Sequence, residues 1–159
     1  KEGLTTKGNV IVAWPYSEPK PTQEELNLWI AQDGKIAEIK LLRNLNKSKP
    51  TPQTVGGYSG NLDNRTFNVS TDIHIPQFNA IASKLQRRID AGIESPTRSW
   101  GDVNGDRAEL TISDYYSLID HLELRDEQEY IQAKLKIDAV NNLTTIEEIE
   151  AFDIKEPIV

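Results

Sequence analysis

The last third of the chain constrains its fold most. From Trp100 the sequence runs Trp-Gly-Asp-Val-Asn-Gly-Asp-Arg-Ala-Glu-Leu-Thr. Some thirty helix-compatible residues follow, and then Thr144-Thr-Ile-Glu-Glu-Ile-Glu-Ala-Phe. The switch of period at Thr111 predicts an aromatic-led β-hairpin that feeds a long amphipathic helix and a short closing helix. Thr111-Ile-Ser-Asp114 reads as a capping box with Asp in the place of Glu, and Thr145-Ile-Glu-Glu148 reads as another. Apolar positions of the long helix are Ile112, Tyr115, Leu118, Ile119 and Leu122, then Tyr130, Ala133 and Ile137. Between them Glu123 to Glu129 is almost wholly polar. A coiled coil needs an unbroken apolar seam over several heptads, so this gap predicts two halves packed on different elements.

Upstream, Val10-Ile-Val-Ala-Trp14 is a short continuous apolar run, expected as a strand buried on both faces or laid against a partner. Prolines 19 and 21 make residues 17–21 an extended linker. Thr22-Gln-Glu-Glu25 is a third capping box, and Leu26, Trp29, Ile30, Ile36, Ile39 and Leu42 or Leu41 continue at helical spacing. Asp33-Gly34 interrupts the pattern, but the apolar face resumes in phase, so one helix is expected over about 23–46. The polar stretch Asn44 to Gln53, with Pro50 and Pro52, is the expected boundary between an N-terminal arm (1–48) and a C-terminal domain (53–159). Thr54–Ser59 and Arg65–Ser70 flank a Gly/Asn-rich loop and read as a hairpin. Ser70-Thr-Asp72 offers an N-cap for a helix over 75–92, with Gly92 as its stop. The expected fold class is α+β, with small antiparallel hairpins packed against a few amphipathic helices.

Charge is unevenly placed. Residues 1–98 carry 13 basic and 10 acidic side chains, whereas residues 99–159 carry 5 basic and 15 acidic. An acidic C-terminal third repels phosphate, so nucleic acid is not an expected partner. No apolar run approaches the ~20 residues that span a bilayer, so a soluble, non-membrane protein is expected. The absence of cysteine excludes disulfides and thiolate metal sites.

Asp102-Val-Asn-Gly-Asp106 is the sharpest short motif. Asp102, Asn104 and Asp106 match the first three ligand positions of a calcium loop. Arg107 stands where that loop needs Gly, and Ser113 stands where it needs a bidentate acid. A two-residue type I′ turn centred on Asn104-Gly105 is the preferred reading, because both central residues of that turn need φ > 0. His74 and His121 have no Cys or i+4 His partner, so they are expected in packing or at the surface. No Ser lies in a nucleophile elbow, and the Gly56–Gly60 run lacks the Lys-Ser/Thr of a phosphate loop. No catalytic residue, cofactor or enzyme activity is expected. The partner-binding candidates are Val10 and Val12 on the first strand, the aromatic anchors Trp14 and Trp29, and Tyr58 in the Gly-rich loop.

The succession Phe67 to Asp72, a helix, Trp100-Gly-Asp102, Glu109-Leu-Thr111, a long helix ending in Ile137-Asp-Ala139, and Thr144-Thr-Ile-Glu-Glu-Ile149 resembles a small domain of unknown function in tailed bacteriophages. That domain occurs in proteins encoded near the tail fibre, and the likeness covers roughly residues 55–153. Pro21-Thr-Gln-Glu-Glu-Leu26 is also similar to segments near the ends of small tail-fibre assembly proteins. The long helix of the family is Ala-rich, and this one is not. The resemblance implies a non-enzymatic assembly chaperone that binds a trimeric fibre protein and assists its folding or trimerisation. It implies action in the host cytoplasm during phage assembly. The alternatives are a structural tail component retained in the virion and a calcium-binding, dockerin-like module. A homo-oligomer is compatible with either role.

Overall fold

The computed structural model describes residues 5–7, 10–13, 19–55, 62 and 64–158. The fold is α+β. In chain order the elements are β1 (Thr5–Lys7), β2 (Val10–Ala13), α1 (Gln23–Ser48), β3 (Thr51–Val55), β4 (Arg65–Val69) and α2 (Thr71–Asp90). They continue with β5 (Arg98–Gly101), β6 (Arg107–Leu110), α3 (Ile112–Asn141) and α4 (Ile146–Ala151). The strands pair antiparallel as β1–β2, β3–β4 and β5–β6.

Three reciprocal capping boxes start α1, α3 and α4. Thr22 N donates to Glu25 Oε2 at 2.7 Å, and Glu25 N returns to Thr22 Oγ1 at 3.2 Å. Thr111 with Asp114 (2.8 and 3.3 Å) and Thr145 with Glu148 (3.1 and 3.2 Å) repeat the exchange. Each box satisfies N–H groups that a helix start leaves orphaned. These amide hydrogen bonds hold the Glu25 and Glu148 carboxyls below their ordinary pKa.

Helix α1 passes through Gly34 without a break. A Cβ at Gly34 would meet no atom within 4 Å. Gly34→Ala is therefore expected to stabilise the protein by about 0.5–1 kcal/mol, since it removes backbone freedom from the unfolded chain at no steric cost. Urea denaturation with an unchanged m-value checks this.

The chain divides into two compact units: residues 1–41 with 132–159, and residues 42–131. The Asn44–Gln53 stretch, read from its prolines as a boundary, holds the end of α1 and the start of β3 inside the second unit. In the first unit Leu26, Ile39, Val140 and Ile149 are buried. Gln32 closes the end of α3 by donating Nε2 to the carbonyls of Val140 and Leu143 at 3.4 and 3.1 Å. Such side-chain donors satisfy the last carbonyls of a helix. Gln132 holds Ile158 through both of its amide ends, at 3.0 and 2.9 Å. Lys136 donates to the Ile154 carbonyl at 2.7 Å. The C-terminal segment is thus tied to α3 by polar contacts.

The second unit holds one apolar cluster. Phe67 and Val69 of β4 and Ala108 and Leu110 of β6 point into it by strand alternation. Phe78, Ala82 and Leu85 of α2 and Tyr115, Leu118, Ile119 and Leu122 of α3 join at helical spacing, with Val55 and Leu62. The Phe78 ring meets Trp100 at 5.0 Å and 79° and Tyr115 at 5.6 Å. Tyr115 donates its hydroxyl to the Arg98 carbonyl at 3.1 Å, and burial pushes its pKa up to about 12.

Two segments depart from expectation. Strand β3 spans 51–55, starting three residues before the expected 54–59, of which 56–59 lie outside the described residues; Pro52 stands opposite Asn68. Proline is tolerated there because its backbone need not donate to the partner strand. Helix α2 begins at Thr71, four residues earlier than its apolar period suggested. Its N-cap, Ser70, makes no side-chain cap. Instead the Ser70 N–H donates to His74 Nδ1 at 2.9 Å, a partner that apolar periodicity does not disclose. The helix ends in a Schellman motif: Gly92 N bonds Ile89 O, Ile93 N bonds Arg88 O, and Gly92 takes φ +83°.

Because His74 Nδ1 accepts that bond, the fold requires the neutral ring, and burial lowers its pKa below 6.5. A depressed histidine leaves stability intact above the unfolded value, and stability falls as pH drops below it toward the folded value. His121, lowered by burial and by Arg125, acts in the same sense. The melting temperature is expected to drop between about pH 7 and pH 5, and to drop less in His74→Gln, as read by circular dichroism.

One side of the polar stretch Glu123–Glu129 is a seam: Arg125, Asp126 and Glu129 are half-buried, while Glu123, Glu127 and Gln128 are exposed. Arg43 Nη2 and Lys47 Nζ, from the end of α1, meet Asp126 at 3.2 and 3.4 Å. Arg125 pairs with Glu129 at 3.0 Å and donates to the Asn46 carbonyl at 3.4 Å. The Arg43 guanidinium also lies 5.2 Å from the centre of the Tyr130 ring.

Candidate interaction surface

The Trp100 hairpin organises the most distinctive surface of the second unit. Its turn differs from the expected type I′ form. Gly105 alone has positive φ, at +85°, and Asn104 does not. Gly105 N bonds Asp102 O at 3.2 Å, and Asp102 N bonds Asp106 O at 2.8 Å. This is the three-residue loop in which a type I turn is followed by a left-handed glycine. Asp102 selects it: its Oδ1 accepts from Asn104 N and Asp106 N at 2.9 and 3.0 Å. A local carboxylate acceptor stabilises this turn over the mirror-image one.

Of the three calcium candidates, Asp102 is fully engaged, since its Oδ2 also pairs with Arg65 at 3.3 Å. Asn104 and Asp106 are exposed. Among the described residues no group of three or more His, Cys, Asp or Glu side chains is placed to share a metal ion.

The turn reaches β4. Val103 N donates to the Thr66 carbonyl at 2.9 Å, beside the Arg65–Asp102 ion pair. Backbone groups two residues apart on a strand face the same edge. Asn68 therefore directs its N–H and C=O to the outer edge of β4, as Thr66 does, and its partner Pro52 has no N–H to offer. On the hairpin, the Asp102–Asp106 bond sets the alternation, so Gly101 and Ser99 direct their backbone groups away from β6.

Beyond the Val103 link these two open edges line a groove of about 410 Å³, together with Ile81, Arg98, Trp100 and Arg107. Arg107 donates Nε to Ser99 Oγ at 2.7 Å. Among the described residues, neither Arg98 nor Arg107 has a carboxylate within ion-pair distance of its guanidinium. A second, more apolar recess of about 410 Å³ lies at the end of α2, lined by Ile89, Ile93, Pro96 and Ile112.

Of the sequence-derived partner candidates, Val10, Val12 and Trp29 belong to the first unit. Val10 and Val12 lie on β2, paired with β1. Trp29 is half-buried on α1 and already makes an interaction. Trp14 and Tyr58 lie outside the described residues. Asn68, Arg98 and Arg107 were not singled out from sequence. The only available signal was the arginine on either side of the Trp100 turn. Their convergence with Asn68 depends on a contact between residues 37 apart in the chain.

Comparison with known protein families, with curated proteins and with solved structures finds no match to this chain.

Proposed function

We propose that this chain is a non-enzymatic assembly protein for a bacteriophage tail fibre, which binds the fibre protein and assists its folding or trimerisation. The observation that carries the reading is the passage from the Trp100 hairpin through the Thr111–Asp114 capping box into the 30-residue α3, and then into α4. That is the order of parts the phage resemblance implies. Exposed apolar side chains support an interaction role: Leu124 and Tyr130 are each 55% accessible. Leu124 and Ile131, seven residues apart, share one face of α3, and apolar side chains grouped in solvent mark contact surfaces. Fibre tips are β-rich and slow to register, and their unpaired strand edges invite aggregation until covered.

The test is co-expression with the long fibre-like protein encoded beside this gene, followed by sizing of the soluble fraction. A soluble trimeric fibre obtained only in the presence of this chain supports the reading. A fibre that trimerises equally well alone, with no complex formed, overturns it. Retention of the chain in purified virions would mark the structural-component alternative.

A further inference from the structure

We propose that the groove between the outer edges of β4 and β5 is a docking site for an extended, acidic polypeptide segment. Its backbone would add as a short strand against Asn68, or against Ser99 and Gly101, and its carboxylates would reach Arg98 and Arg107. The backbone donors and acceptors of these positions point into the groove, and no protein group pairs them among the described residues. Unpaired strand edges are templates for an added strand. The four residues of β5 span roughly 13 Å, enough to order three or four residues of a partner.

Charge selects the occupant. Arg98 and Arg107 both line the groove, and the Arg107 Nε–Ser99 Oγ bond holds the second guanidinium in place. Guanidinium groups favour carboxylate and phosphate alike. The alternating N–H and C=O groups of the two edges match a polypeptide backbone and not a phosphodiester. Trp100, whose ring packs edge-on against Phe78, gives the groove a rigid apolar wall. The proposal deepens the interaction reading and rests on it only in taking a polypeptide as the partner.

The test is a titration of the ¹⁵N-labelled full chain with the acetylated, amidated peptide Val-Asp-Val-Glu-Val-Asp. The same peptide with Lys in place of each acid and a ten-residue oligothymidylate serve as controls. Amide shifts concentrated at Asn68, Ser99 and Gly101, with the Trp100 indole N–H, are expected for the acidic peptide alone. The exposed pair Arg98→Gln with Arg107→Gln should weaken binding at least about five-fold, and added salt should do the same. Unchanged near-ultraviolet circular dichroism would show that this variant is folded. No binding of the acidic peptide, equal binding of the basic one, tighter binding of the oligonucleotide, or shifts centred elsewhere each overturn the proposal. No fibre protein enters this experiment, so its failure is separate from failure of the co-expression test.

Discussion

Phe78→Ala is expected to destabilise the second unit by about 3–5 kcal/mol, the usual cost of emptying a buried aromatic site. Phe78 is fully buried and contacts the rings of His74, Trp100 and Tyr115 at 5.7, 5.0 and 5.6 Å. It joins α2 to the hairpin and to α3, so no single element can move to fill the hole. Truncation also frees the Trp100 ring, which holds one wall of the β4–β5 groove. Guanidinium denaturation followed by Trp fluorescence measures the loss. Phe78→Leu should cost about half as much, because most of the volume is kept. A loss below 1 kcal/mol for Phe78→Ala would show that the cluster is not the organising core.

Asp126→Ala is expected to cost about 1–3 kcal/mol, the range between an exposed ion pair and a buried one. Its side chain is 27% accessible and receives both Arg43 and Lys47. Removal leaves Lys47 with Asp72 at 3.8 Å but leaves Arg43 without a carboxylate, in a seam where Arg43 Nε, Arg125 Nη1 and Glu129 Oε2 are already buried without hydrogen-bond partners. The loss exceeds the strength of either bond, since an uncompensated charge costs more than a pair contributes. A double-mutant cycle of Asp126→Ala with Arg43→Met isolates the interaction. A coupling near zero would reduce the seam to incidental surface pairing.

Much of the local structure is legible in the residues themselves. The three capping boxes mark helix starts at Gln23, Ile112 and Ile146, and each forms with both of its reciprocal bonds. Apolar period carries α1 through Gly34, and Gly92 ends α2 in the left-handed conformation expected of it. These features are readable because capping and periodicity act over three or four residues. Ser70 is the N-cap of α2, within the Ser70–Asp72 stretch that the sequence offers, but the apolar period begins only at Ile75, so the first turn, held by the His74–Ser70 bond, is not legible from it. The hairpin turn was misassigned because the Asn-Gly pair outweighed Asp102, whose carboxylate decides the turn type through two backbone N–H groups.

The sequence alone therefore determined the α+β class, the three helix starts marked by capping boxes and the hairpin that leads into the long helix. All are set by interactions between near neighbours in the chain. The tertiary structure alone decided that the polar gap of α3 closes on Arg43 and Lys47. It also decided that Thr66 of β4 meets the turn of the Trp100 hairpin, which opens the groove beside Asn68. Both depend on pairing residues tens of positions apart, and the cost of closing such loops is met only when the whole core forms at once.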